Sequence, residues 1–277
     1  MKQMLTLAGL LCVAGAASLW FSGAGADRGE RRTLVLTGSS TVAPLAAEIG
    51  KRFESLHAGV RVDVQTGGSS RGIADTRQAV ADIGMASRAL KNEEHDLFAF
   101  TIAQDGVCLI AHRDNPVEAL TDKQVVAIYT GRMTNWKDVG ERDAPITVVN
   151  KAEGRSTLEL FLKHFQLKNS EVRPHVVIGD NEQGIKTVAG NPNAIGYVSI
   201  GTAEYDTNHR VPIKLLPIGG VEASIENVSA GTFPLSRPLN LVTLTEPEGL
   251  AKTFIEFARS RGVHDIVRSQ YFVPAAN

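Results

Sequence analysis

From Thr33 onward the chain alternates short apolar runs with stretches in which apolar residues return every three or four positions. The runs predict strands at Thr33–Thr37, Val60–Val64, Asp82–Met85, Val107–Ala111, Ile146–Asn150, His175–Ile178, Ala194–Val198, Ile213–Pro217 and Leu239–Leu244. Between them, Val42, Leu45, Ala46, Ile49 and Phe53 recur at helical spacing, as do Leu158, Phe161, Leu162 and Phe165, and later Leu250, Phe254, Phe257 and Ala258. Each such helix has one apolar face to lay on a sheet. Strands and helices in this alternation predict an α/β fold.

Proline and glycine concentrate at His112–Pro116 and Gly231–Pro238, where a strand would leave one lobe for a second and later return. The division this predicts is one lobe of residues 33–111 plus 236–277 and another of residues 112–235. No internal repeat interrupts it.

Upstream, Lys2 precedes an apolar stretch from Leu5 to Phe21, and Ala24-Gly25-Ala26 then leads into the polar run Asp27–Arg32. That order predicts a signal peptide over residues 1–26 and a periplasmic destination. A retained membrane anchor is the competing reading, and the stretch is at the short end of what spans a bilayer. Leu11 before Cys12 is not the small residue a lipid-anchor signal wants. Once such a signal is removed Cys108 has no cysteine to pair with, and its apolar neighbours predict a small buried hydrophobe. The 29 basic and 30 acidic side chains leave a formal net charge of −1, so nothing overall points to nucleic acid or an anionic membrane. Local groups can still hold an anion.

Three segments share one design, a strand ending in a Gly/Ser/Thr-rich turn from which a helix starts: Thr37–Thr41, Thr66–Gly72 and Glu153–Thr157. A helix start offers unpaired backbone N–H groups and the positive end of the dipole, glycine allows close approach, and hydroxyls add neutral donors. The plainer reading is that these are helix caps, where Ser and Thr are favoured anyway. Three such turns, two with an arginine, favour an anion site at the carboxyl ends of the strands. No G-x-x-x-x-G-K-[ST] loop supports nucleotide binding, no H-E-x-x-H pair or other spacing supports a metal, and no G-x-S-x-G elbow supports a hydrolase. The expectation is a binding protein without cofactor, not an enzyme.

The motifs Thr37–Leu45, Thr66–Ser70, Ala81–Arg88, Leu120–Gln124, Thr134–Trp136, Asn191–Val198 and Phe233–Leu239 resemble, in order, the signatures of the phosphate-binding subunit of bacterial Pst-type ABC transporters. The resemblance implies a type II periplasmic binding protein fold, in which two α/β lobes joined by two crossover strands close over a ligand cleft. It also implies inorganic phosphate or a similar oxyanion as ligand, a membrane ABC permease as partner, and a monomer. By the family pattern Ser40, Thr41, Ser69 or Ser70, and Ser87 donate from the first lobe. The second-lobe turn maps to Lys151–Thr157, giving Arg155, Ser156 and Thr157 as contacts, with Ser39, Arg71, Arg88, Lys151 and Gly154 as further candidates.

That second-lobe turn departs from the family. Lys151 stands where an arginine is expected, Arg155 where serine is, and Ser156 where glycine is. An arginine fork grips two oxygens while lysine is a flexible point charge, so Arg155 either restores the grip from beside it or points into solvent. The aspartate with which some members accept the proton of hydrogen phosphate has no counterpart in Ala86-Ser87-Arg88, which weakens discrimination against sulfate. Glu153 is expected to orient a cation, His95 to lie in solvent beside Glu93 and Glu94, and Trp136 to pack between loops or face the cleft.

Overall fold

The computed structural model describes residues 32–275; the expected signal peptide lies outside them. The strands are β1 (Arg32–Gly38), β2 (Val60–Thr66), β3 (Ile83–Ala86), β4 (Phe98–His112), β5 (Thr147–Lys151), β6 (Val176–Ile178), β7 (Ala194–Ser199), β8 (Ile213–Leu216), β9 (Ser236–Thr243) and β10 (Val273–Pro274). The helices are α1 (Val42–Leu56), α2 (Ser69–Arg77), α3 (Asp122–Tyr129), α4 (Ser156–His164), α5 (Asn181–Ala189), α6 (Ile200–Asn208), α7 (Ile225–Ser229), α8 (Gly249–Arg259) and α9 (His264–Ser269). Among the described residues no helix is long and apolar enough to cross a membrane.

Hydrogen bonding links the strands in the order β2-β1-β3-β9-β4-β7-β5-β6. β1 is parallel to β2 and β3, and β5 is parallel to β6 and β7. β4 is antiparallel to β9 along its first part and to β7 and β8 along its last. The strand begins at Phe98 rather than at Val107, because Gln104 and Asp105 break the apolar run from which its start was read.

Two large apolar cores form around these strands, with a small third cluster of Ile73, Ala86, Leu97 and Val242. One gathers Leu34, Leu36, the inner face of α1, Ile83, Met85, Leu239, Leu241 and the inner face of α8. The other gathers Val107–Ala111 with residues from Val117 to Leu235. The chain passes from one core to the other near Asp105–Val107 in β4. The helices have the expected faces: Val42, Leu45, Ala46, Ile49 and Phe53 are all buried, and Phe53 meets Phe254 edge-on at 5.2 Å. Each such large side chain contributes about 1.5–3 kcal/mol by leaving water.

Trp136 is fully buried in the second of these cores, where its indole N–H donates to the Asn193 carbonyl at 3.1 Å, so it faces no cleft. Cys108 is also fully buried, and burial pushes its thiol well above the usual range. It is a packing residue.

Candidate anion-binding site

The parallel strands all deliver their carboxyl ends to one place between the two cores. β1 ends at Gly38, whose φ of +131° and close approach to the Met85 carbonyl leave no room for a Cβ. Its own carbonyl accepts from the N–H groups of Gly67 and Gly68, which ties the first turn to the second. Gly68, at φ +96°, lies against the Gly154 carbonyl and the Arg155 side chain, so the second turn abuts the turn from the other core. Ser70 N donates to Gly154 O across the same contact at 3.2 Å.

Ser39, Ser40, Thr41, Gly68, Ser69, Ser87, Arg155, Ser156 and Thr157 line a very small cavity there, of about 10 Å³. Hydroxyls form a continuous network around it. Ser39 Oγ donates to Ser87 Oγ at 2.9 Å, Ser87 Oγ and Ser156 Oγ are 2.5 Å apart, and Ser69 Oγ donates to Ser156 Oγ at 3.1 Å. Ser39, Thr41, Ser69, Ser87, Ser156 and Thr157 are all buried. A buried hydroxyl must find a partner; here Ser39 and Ser69 spend their protons on Ser87 and Ser156, and these two share one more bond.

The helix starts distinguish a cap from a ligand site. α3, α5, α6 and α7 each begin on a side chain that accepts from the first turn, namely Thr121, Asp180, Ser199 and Ser224. α2 and α4 begin on Gly68 and Arg155, neither of which supplies a side-chain cap. α1 is served from outside its first turn, by Ser39 Oγ, which accepts from Thr41 N and Val42 N. α8 and α9 also lack side-chain caps and do not line the cavity. The second and third turns thus leave their helix starts without a side-chain cap, and the Ser70 N–H of α2 is taken by the Gly154 carbonyl.

Behind the hydroxyls lies Arg237 of β9, almost wholly buried. Its Nε and Nη2 both donate to Asp105 Oδ2, at 3.0 and 2.8 Å. Asp105 Oδ1 accepts from Ser199 Oγ and Gly201 N, so the carboxylate is fully engaged. The far side of the guanidinium donates to Thr157 Oγ1 at 3.0 Å, Thr41 Oγ1 at 3.3 Å and Ser87 Oγ at 3.4 Å. Thr41 Oγ1 also accepts from Asn181 Nδ2 at 3.2 Å. A hydroxyl whose oxygen already accepts from N–H groups keeps its own proton to donate, and so Arg237 presents these hydroxyls to the cavity as donors.

The remaining sequence candidates divide. Arg155 reaches the cavity half-buried, its guanidinium close to Gly179. Gly154 supplies the carbonyl that meets Ser70 N. Lys151 is buried behind the cavity and donates to Asn181 Oδ1 at 3.0 Å. Three do not converge. The Ser70 hydroxyl turns to Glu159 at 3.4 Å, which leaves Ser69 as the cavity serine of its pair. Arg71 points outward to Asp75. Arg88 is buried but forked onto both oxygens of Glu94, at 2.7 and 2.8 Å, because a buried guanidinium without a carboxylate would be far costlier. Glu94 is accordingly not in solvent, whereas Glu93 and His95 are exposed. Glu153 accepts from Asn169 rather than orienting a cation.

Asp105, Asn181 and Arg237 were not among the sequence candidates. Their signal was weak: Asp105 follows Gln104 in β4 and Arg237 follows Ser236 in β9, and no spacing links the two. A cavity of about 530 Å³, lined by Arg88, Lys91, Glu159, Lys163 and Arg237 among others, lies nearby. Its Arg88 and Lys91 are already paired, with Glu94 and Glu159. The smaller cavity is lined by hydroxyls, glycine and arginine, with no carboxylate.

Residues 24–261 match the model of the PBP superfamily domain. The chain belongs to this family. The phosphate-binding protein PstS of Bacillus subtilis is 27% identical over 90% of this chain and 84% of its own length. That of Borreliella burgdorferi is 25% identical over 89% of this chain and 91% of its own. Among solved structures, a Clostridium perfringens protein assigned as a phosphate ABC transporter substrate-binding protein, with phosphate bound, is 34% identical. It superposes with a TM-score of 0.82, covering 88% of this chain and all of its own. An ABC-type phosphate transport receptor from Vibrio cholerae gives 29% identity and a TM-score of 0.73 over 87% of this chain and all of its own. The fold is that of the type II periplasmic binding proteins, and the kinship is with binding subunits of transporters rather than with enzymes.

Proposed function

We propose that this protein captures inorganic phosphate and delivers it to a membrane ABC permease. One observation carries the reading: a small cavity lined by hydroxyls, glycine and arginine, backed by a second arginine that donates to Thr41, Ser87 and Thr157 and so leaves their protons for a ligand. Such a lining suits a small anion that offers only oxygen acceptors. The names of the relatives and of the phosphate-bound structural neighbour support the same ligand.

In this reading the two cores are two lobes, hinged where β4 and β9 pass between them, and closure brings Ser156, Thr157 and Arg155 against Ser39, Thr41, Ser69 and Ser87. The protein acts as a monomer outside the cytoplasm, exported by the segment ahead of Asp27. Binding makes and breaks no covalent bond. Among the described residues no histidine or carboxylate accepts from a cavity hydroxyl, which gives a nucleophile no base.

A second reading, the same clamp holding another tetrahedral oxyanion, is favoured by the absence of any carboxylate from the cavity lining. A carboxylate there would accept from a protonated anion and repel a fully ionised one. Titration of the purified mature protein with phosphate, sulfate, arsenate and molybdate decides. Tight binding of phosphate is expected. Binding of sulfate or molybdate without phosphate would transfer the role to the second reading, and no binding at all would end both.

A further inference from the structure

Lys151 closes β5 directly behind the anion cavity, and its position is unusual for a lysine. The side chain is only 2% exposed, and its ammonium nitrogen has one hydrogen-bond partner among the described residues, the neutral Asn181 Oδ1 at 3.0 Å. No carboxylate there lies within ion-pair distance of it. Asn181 then donates to Thr41 Oγ1 at 3.2 Å and to Thr202 Oγ1 at 3.3 Å, so two hydrogen bonds join the lysine to the cavity wall.

The charges around it come from several elements. Arg237 of β9 and Arg155 at the start of α4 repel an ammonium, while Asp180 ahead of α5 attracts one. Asp105 is already spent on Arg237. Tyr197 of β7 accepts from the Lys151 backbone N–H and donates to Asn150, offering the ammonium nothing. Burial first, then Arg237, pushes the lysine down to about 7, with Arg155 adding to the effect and Asp180 opposing it. Near neutrality this side chain is therefore free to exist in either state.

An anion in the cavity changes that balance. With Arg237 neutralised by Asp105, the fixed positive charge at the cavity is that of Arg155 alone. Protonating Lys151 makes it two. We propose that Lys151 is a charge-matching residue, which takes up a proton when a doubly charged tetrahedral oxyanion enters the cavity and so couples binding to protonation. This deepens the oxyanion-binding reading and rests on it. Lys151 does this without touching the anion, through the field it adds and through Asn181 and Thr41.

The sign follows from linkage. A group whose affinity for protons rises on binding takes up protons at pH values between its free and bound ionisations. Below about pH 7 Lys151 is charged in both states and binding is insensitive to it. Above that, affinity for a dianion falls as pH rises, by up to about tenfold per pH unit. An arginine at 151 would stay charged throughout and abolish the dependence.

The test is calorimetric titration of the wild-type protein, K151R and K151M with inorganic phosphate near pH 8.5, where phosphate is already largely dianionic, in buffers of different ionisation enthalpy. The wild type is expected to take up a substantial fraction of one proton per phosphate, and K151R and K151M close to none. K151R is further expected to lose the fall in affinity between about pH 7.5 and 9. Phosphate binding without proton uptake by the wild type, or uptake unchanged in K151R, overturns the inference and leaves phosphate capture standing. A wild type that binds no phosphate at any pH overturns phosphate capture and the inference together. Since the wild type alone gives the first answer, the experiment does not depend on either variant folding.

Discussion

Asp105 and Arg237 stand directly opposite each other on the antiparallel strands β4 and β9, in the stretch where the chain passes between its two cores. Both are buried, and their ion pair closes at 2.8 Å. The pair thus lies at the crossover and at the base of the cavity at once, with one side of Arg237 held by the carboxylate and the other presenting hydroxyls. Loss of either partner should be felt in both folding and binding.

Asp105→Asn leaves a buried guanidinium without its counter-charge and is expected to lower unfolding stability by about 3–5 kcal/mol. The double variant D105L/R237M removes both charges and should recover much of that loss in urea denaturation, yet remain unable to bind phosphate. Recovery of binding in the double variant would show that Arg237 has no part in presenting the hydroxyls.

Ser156 is the hydroxyl that meets both Ser69 and Ser87 across the cavity. A hydrogen bond to a charged ligand contributes about 1.5–3 kcal/mol. Ser156→Ala should therefore weaken phosphate binding about 10- to 100-fold by titration, and it should cost about 1–3 kcal/mol of stability because Ser69 and Ser87 lose a buried partner. Ser70→Ala, whose hydroxyl faces Glu159 instead, should change affinity by less than about threefold.

Gly68 is the point at which a turn of one core lies against a turn of the other, and a methyl group there would come within 2.7 Å of the Gly154 carbonyl. Its φ of +96° adds about 1–3 kcal/mol of strain for any other residue. Gly68→Ala is expected to hold the turns apart, which small-angle scattering in saturating phosphate would show as a larger radius of gyration than wild type, with affinity down about tenfold or more.

Glu159 of α4 pairs with Arg88 at 2.9 Å and Lys91 at 3.1 Å, and so joins elements of the two cores at the rim. Because Glu159 and Lys91 are partly exposed, the clasp is worth only about 1 kcal/mol. Glu159→Gln should raise the phosphate dissociation rate a few-fold in stopped flow while the association rate stays within a factor of two. An unchanged dissociation rate would exclude the clasp from closure.

Stability should also depend on Lys151. Its folded-state ionisation, near 7, lies below the usual lysine value, so the unfolded chain binds that proton more tightly. Burial of the charge opposes folding fully below pH 7 and progressively less as pH rises toward the unfolded value. Lys151→Met should therefore exceed the wild type in urea stability at pH 6, and the margin should shrink by pH 9. A margin independent of pH would mean that Lys151 does not titrate in this range.

The sequence alone determined the alternation of strands and helices, the amphipathic faces of α1, α4 and α8, and the three glycine- and serine-rich turns. These are local properties: periodicity, turn chemistry and capping preference are all read within a few residues. Seven ordered motifs did more, since together they implied the family and its fold. Tertiary structure alone decided which donors converge. Ser69 and Ser70 are neighbours in sequence, and only their place at the start of α2 sends one hydroxyl to the cavity and the other to Glu159. Arg88, next to Ser87, is claimed by Glu94. Asp105 and Arg237 are separated by most of the middle of the chain and meet through strand register, which no local pattern encodes. The same charge that pairs Asp105 with Arg237 also interrupted the apolar run of β4 and concealed the strand that carries it.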